Sequence, residues 1–225
     1  MDLFHQRLTR VALAAAGQYG FCLAGGYAVA AYGFVNRLSE DVDLFTTMVA
    51  ERDFPTAVEA VVVALKTDGL DATVTMNAGS FARVEVSDPA TGENAKLELG
   101  VDWRAHPPTR LEISPVLHPD DAVANKMCAL FGRAAVRDYI DVDGVLASGR
   151  YRLEESLRLA ADHDPGFDAT MFAETLGAAR RLPDSAFVPY GLAGAEATAL
   201  RDRLVGWSAR IIASGPPPSR RGECS

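Results

Sequence analysis

The chain is poor in the groups that would mark a disulfide frame, a zinc module or a basic nucleic-acid binder. Its three cysteines, Cys22, Cys128 and Cys224, are odd in number and far apart. Such usage excludes a disulfide framework and points to a reducing, cytoplasmic compartment. The four histidines, His5, His106, His118 and His163, are scattered and share no ligand spacing with the cysteines, so no zinc site is expected. Positive charge is also scarce: 22 Lys and Arg against 30 Asp and Glu leave a formal net charge of −8. A general nucleic-acid binder is usually basic. Contact with RNA would need a local basic patch and metal ions that mask acidic groups. No run approaches the roughly 20 apolar residues of a membrane helix, so no membrane partner is expected. Val11-Ala-Leu-Ala-Ala-Ala16 resembles the apolar part of a signal peptide. Yet Leu3, Leu8, Val11 and Ala15 recur at helical spacing, with Asp2, Gln6 and Arg10 among them. An amphipathic first helix is the expectation.

What is present suffices for a core. With 225 residues at 48% hydrophobic content, the chain is sized for one domain with an appendage or for two small ones. The patterning predicts a helix over 2–18, a short strand over Phe21–Ala24 and a helix over Tyr27–Tyr32 that opens at Gly25-Gly26. A second strand is expected over Asp41–Phe45. Pro55 suits the first turn of a helix running to Gly69. Ala72–Met76 and Phe81–Val86 alternate as strands. The turn-rich Asp88-Pro-Ala-Thr-Gly-Glu-Asn94 makes Phe81–Val86 and Ala95–Val101 a hairpin. Leu111–Leu117 is expected as one more strand. Helical patterns follow at Asp120–Phe131, Val136–Ala147, Leu153–Ala161, Ala169–Arg181 and Ala195–Ile212. Strands first and helices afterwards give an α+β chain, with a core domain over 1–118, a helical domain over 119–214 and a disordered tail over 215–225.

Asp41 and Asp43 carry the most information. Two apart on a strand, they point to one face, while Val42 and Leu44 point to the other. Neighbouring carboxylates repel unless a cation lies between them. Hard oxygen ligands suit Mg²⁺, which takes one or two protein carboxylates and completes its shell with water and substrate phosphate. The diglycine upstream offers bare backbone N–H groups to an anion. Metal-dependent nucleotidyl transfer uses two ions and a third carboxylate from a neighbouring strand. Lys96-Leu-Glu98-Leu-Gly-Val-Asp102 offers Glu98 and Asp102. Glu98 is preferred because it lies inside the alternating apolar pattern, whereas Asp102 lies at the strand's end.

Gly25-Gly26, Ser39-Glu-Asp41-Val-Asp43, a hairpin ending in a carboxylate, Asp121-Ala-Val-Ala-Asn-Lys126, Arg133 and Arg137-Asp138-Tyr-Ile-Asp141 occur in that order. Over about 20–146 the arrangement resembles the AbiEii-type nucleotidyltransferase toxins, the group that includes the mycobacterial MenT toxins, within the polymerase-beta-like superfamily. The resemblance implies a polymerase-beta-like sheet with a helical C-terminal lobe. It implies transfer of a nucleoside monophosphate from an NTP, with CTP favoured, to the 3′ end of tRNA, which blocks translation. Two Mg²⁺ ions, or Mn²⁺ in their place, and a cognate antitoxin are implied as well. By position, Asp41, Asp43 and Glu98 become the metal ligands. Gly25, Gly26, Arg37, Ser39, Lys126 and Arg137 become substrate contacts, and Asp141 the downstream catalytic aspartate. Ser39 matches a position that is phosphorylated in some relatives. The chain has Gly26 where many superfamily members have serine, and Glu98 where related chains often have aspartate.

Simpler roles stand beside these. Asp41 and Asp43 would suit a solvated strand edge, Gly25-Gly26 an ordinary turn, and Ser39 a cap. Arg37 would suit a pair with Glu40, Lys126 a side chain snorkelling to water, and Arg137–Asp138 a structural ion pair. Asp138 also suits the N-terminal dipole of a helix. Arg180, Arg181, Arg201, Arg203, Arg220 and Arg221 would hold tRNA if they gathered on one side. Two other functions fit the same residues: nucleotide transfer to a small molecule, as aminoglycoside-modifying relatives perform, and a non-catalytic nucleotide-binding regulatory module.

Overall fold

The computed structural model describes residues 1–113 and 115–214; the expected disordered tail over 215–225 lies outside the described residues. The described residues group into two compact units, one ending at Ala122 and the other starting at Val123.

The first unit opens with α1 (Leu3–Ala16), whose start is set by the Asp2 carboxylate accepting from His5 N–H at 2.8 Å. Phe4, Leu8, Ala12 and Leu13 line its buried stripe. Next come β1 (Cys22–Leu23), α2 (Gly25–Ala31), β2 (Asp41–Thr46) and α3 (Phe54–Thr67), which has a proline in its first turn. β3 (Asp71–Asn77), β4 (Phe81–Ser87) and β5 (Asn94–Val101) complete one five-stranded sheet in the order β1-β2-β5-β4-β3. β2 and β5 are parallel, and the other pairs are antiparallel. Val42 and Leu44 of β2, Leu97 and Leu99 of β5, and Ala82 and Val84 of β4 are fully buried on one face. Phe54, Val61 and Leu65 of α3 and Leu8 of α1 are buried as well, and α1 packs on α3.

Among the described residues of 111–117 the expected strand does not form. Val116 makes only isolated bridges, to Leu23 and to Thr109. Pro115 lacks an N–H and offers only its carbonyl, which accepts from Leu23 N–H at 2.8 Å. The first helix stops at Ala16 and gives way to a 3₁₀ turn, and the helix expected to reach Arg181 ends at Ala178 for the same kind of turn.

Five helices follow: α4 (Pro119–Arg133), α5 (Val136–Ala147), α6 (Leu153–His163), α7 (Ala169–Ala178) and α8 (Ala195–Ser214). In the second unit α7 packs along α8, where Gly177 leaves room for Ser208, whose hydroxyl donates to Ala173 O at 2.6 Å. Phe172, Leu176, Phe187 and Leu204 are fully buried there. Arg203 of α8 forks onto Asp143 of α5 at 2.9 and 2.6 Å. Arg201 bonds Leu182 O and Asp184. Both arginines therefore serve internal pairs rather than a basic patch, and Arg220 and Arg221 lie outside the described residues. No helix among the described residues is long and apolar enough to cross a membrane.

Burial pushes the Asp143 carboxyl above its ordinary range, against the opposing pull of Arg203. A raised folded-state value means that this group's contribution to stability is fullest below the ordinary aspartate pKa and is lost as pH rises through the folded one. Arg203→Met is expected to cost about 1–3 kcal/mol at pH 7, less than a fully buried pair because the arginine is partly exposed. The loss shrinks on acidification, as Asp143 takes a proton. Urea unfolding at neutral and acid pH measures it; an equal loss at both contradicts the assignment.

Candidate active site

Asp41 and Asp43 project from the polar face of β2, Asp41 buried and Asp43 half-buried, while Val42 and Leu44 fill the core behind them. The pairing of strands sets two cross-sheet rows. Asp43 lies opposite Glu98 of β5, which lies opposite Arg83 of β4; Asp41 lies opposite Lys96, which lies opposite Glu85. Arg83 Nε and Nη2 both donate to Glu98 Oε1, at 2.9 and 2.6 Å. Asp102, the other candidate for third carboxylate, lies past the end of β5, where its N–H donates to Thr46 O. Four residues of strand put it about 13 Å further along than Glu98.

The diglycine meets these side chains directly. Ala24 N–H donates to Asp43 O at 2.8 Å, which brings the start of α2 against β2. Gly25 has φ +59°, and a Cβ there would overlap the Asp43 carboxylate. A Cβ on Gly26 would meet Ser39 Oγ at 2.8 Å and Arg37 Nη2 at 3.1 Å. Gly25, Gly26, Arg37, Ser39 and Asp43 are therefore one cluster, made possible by the missing side chains. Two residues outside the sequence motifs brace it. The Tyr27 hydroxyl donates to Ser39 O at 3.3 Å and lies 2.5 Å from His5 Nδ1. Burial raises the Tyr27 phenol well above its ordinary pKa and lowers that of His5.

In the second unit Lys126 of α4 and Asp141 of α5 form a buried ion pair, Nζ to Oδ2 3.0 Å. Asp138 is fully buried and accepts a fork from Arg133, both bonds 2.8 Å. Asp121, at the head of the lysine motif, accepts from Ala105 and His106 N–H at 2.8 and 3.0 Å. Its carboxylate thus ties a loop to the start of α4. The expectation of scattered histidines fails for one pair: His106 and His118 stack with ring centroids 4.3 Å apart.

Asp41, Asp43 and Glu98 stand on neighbouring positions of one sheet face, and their all-oxygen chemistry suits a hard divalent cation. Arg83 engages one oxygen of Glu98. Arg83 was missed in the motif reading, although the hairpin register reveals it: with the turn placed at 88–93, residue 83 falls opposite residue 98.

The chain matches the family described as nucleotidyl transferase AbiEii toxin, type IV TA system, over residues 7–203. It belongs to that family, and is a nucleotidyltransferase of a toxin-antitoxin system. Three solved structures share the fold. JHP933 of Helicobacter pylori has 21% identity, a TM-score of 0.59 and coverage of 94% of this chain and 92% of its own. A structure described as a nucleotidyltransferase from H. pylori has 20% identity, a TM-score of 0.60 and coverage of 94% and 95%. MenT4, a nucleotidyltransferase toxin of Mycobacterium tuberculosis H37Rv, has 20% identity, a TM-score of 0.63 and coverage of 92% and 82%. No curated protein matches the chain.

Gly25→Ala is expected to lower nucleotidyl transfer by about a hundredfold, because displacing Asp43 by ~1 Å disrupts positioning. Gly26→Ala loses less, since Ser39 and Arg37 are side chains that can shift. Pyrophosphate release in a single turnover measures both, and equal losses contradict the geometry. Arg83→Met is expected to lower kcat roughly tenfold by freeing Glu98 from its held rotamer, with Arg83→Lys recovering part. An effect confined to KM contradicts it.

Proposed function

We propose that this enzyme transfers a nucleoside monophosphate, from CTP by preference, to the 3′ end of tRNA and so stops translation. The observation that carries the reading is the contact of Gly25 with the Asp43 carboxylate: backbone that an anion can approach lies against a carboxylate pair that a cation would join. Asp41, Asp43 and Glu98 would hold Mg²⁺, which when bound lowers the pKa of the acceptor hydroxyl and offsets the charge of the triphosphate. Gly25, Gly26, Ser39 and Arg37 orient the triphosphate through N–H, hydroxyl and guanidinium donors. Glu98 completes the metal set or takes the proton of the attacking 3′-hydroxyl. That oxygen bonds to the α-phosphorus as the bond to pyrophosphate breaks. Positioning and charge neutralisation supply the rate. The roles of Lys126 as triphosphate lysine, of Asp141 as its support and of Arg137 as a substrate contact rest on the family resemblance, joined for the first two by their buried pairing.

The tRNA acceptor and CTP preference likewise rest on the resemblance to the MenT toxins. A cytoplasmic setting and neutralisation by a cognate antitoxin belong to the same reading.

The test is purified protein with tRNA, Mg²⁺ and each labelled NTP in turn. Label is expected in RNA, most from CTP, and Asp41→Asn is expected to lower the rate roughly a thousandfold or more, the effect of several kcal/mol. Label that enters an aminoglycoside and not RNA selects the small-molecule reading. Nucleotide binding without pyrophosphate release selects the non-catalytic one.

A further inference from the structure

Away from the β2–β5 face, the first unit gathers a different set of donors. His106 follows β5 in a loop, His118 directly precedes α4, and Asp120 lies in the first turn of α4. One ligating atom from each lies within 4.8 Å of the others, and all three residues are half-buried. The imidazoles stack at 4.3 Å with 24° between their planes. His118 Nδ1 lies 3.9 Å from Asp120 Oδ2 and accepts from Asp120 N–H at 3.3 Å.

We propose that His106, His118 and Asp120 form a binding site for a borderline divalent ion of the Zn²⁺ class, separate from the carboxylate face. Three features support it. First, His106 Nδ1 is buried without a hydrogen bond, 3.4 Å from the Asp121 oxygen that also accepts from His106 N–H, a carboxylate placed to orient the ring as a ligand through its other nitrogen. A buried polar atom left unpaired calls for an explanation. Second, the Asp121 bonds fix the backbone at Ala105 and His106, so the loop presents His106 to His118 without depending on an ion. Third, two imidazoles with one carboxylate form a borderline donor set, suited to Zn²⁺, Co²⁺ or Ni²⁺ and not to Mg²⁺. Water completes the shell. Bound metal would cross-link residues 106 and 118–120, closing the intervening loop and bracing the first turn of α4.

The test uses the full chain, stripped with EDTA and dialysed. Zn²⁺ is titrated calorimetrically, Co²⁺ by visible absorption, and thermal unfolding is followed with and without Zn²⁺. One equivalent is expected, together with visible Co²⁺ ligand-field bands that lack a sulfur charge-transfer band. A Tm rise of about 5–10 °C is expected at metal a hundredfold above Kd. Asp41→Asn keeps all of these. His106→Gln and His118→Gln each weaken binding at least tenfold while their metal-free unfolding stays cooperative; if His118→Gln fails to fold, the more exposed His106 decides. Unchanged affinity in the folded variants, a sulfur charge-transfer band, or no binding at micromolar metal overturns the proposal.

Discussion

Hydrogen bonding between β2 and β5 is the constraint on which the acidic face depends. The strands are distant in sequence and run parallel, and their register places Asp43 beside Glu98 and Asp41 beside Lys96. Side chains alternate along a strand, so a slip of one residue would turn Asp41 and Asp43 into the core and Val42 and Leu44 out of it. The fully buried row of Val42, Leu44, Leu97 and Leu99 resists that slip. Apolar packing behind the sheet thus sets the placement of charge in front of it. The diglycine adds a second close constraint, since Gly25 has no room for a side chain against Asp43.

The helical unit solves a different problem. α5 buries Asp138, Asp141 and Asp143, each of which meets a cation: Arg133, Lys126 and Arg203 respectively. Buried ion pairs add little net stability, yet removal of one partner is costly because a charge remains behind. The Arg-Asp-Tyr-Ile-Asp stretch is therefore constrained by pairing across helices as well as by its position in the first turns of α5. Two of the three cations come from α4, so the lysine helix and the aspartate helix specify one another.

Much of this was legible locally. The proline at the start of α3, the alternation of β4 and β5 and the turn at 88–93 each follow from residues close in sequence, and each element lies within a few residues of its expected place. The expectation failed where a local pattern met a competing backbone requirement. The stretch 111–117 has strand-like residues but a proline that cannot donate, and among its described residues Val116 makes isolated bridges only. The histidines looked scattered because His106 and His118 meet through a loop whose closure is set by Asp121, a contact no spacing rule reports.

By itself the chain's sequence determined the alternation that puts Asp41 and Asp43 on one face, the diglycine with no side chains, and the order of strands before helices. These are properties of neighbouring residues and of backbone geometry. Tertiary structure decided that Glu98 stands beside Asp43 across the parallel β2–β5 pair, that Gly25 closes on Asp43, and that two histidines stack. Each of these joins segments far apart in the chain, and their meeting is selected by the packing of the whole core rather than by any local preference.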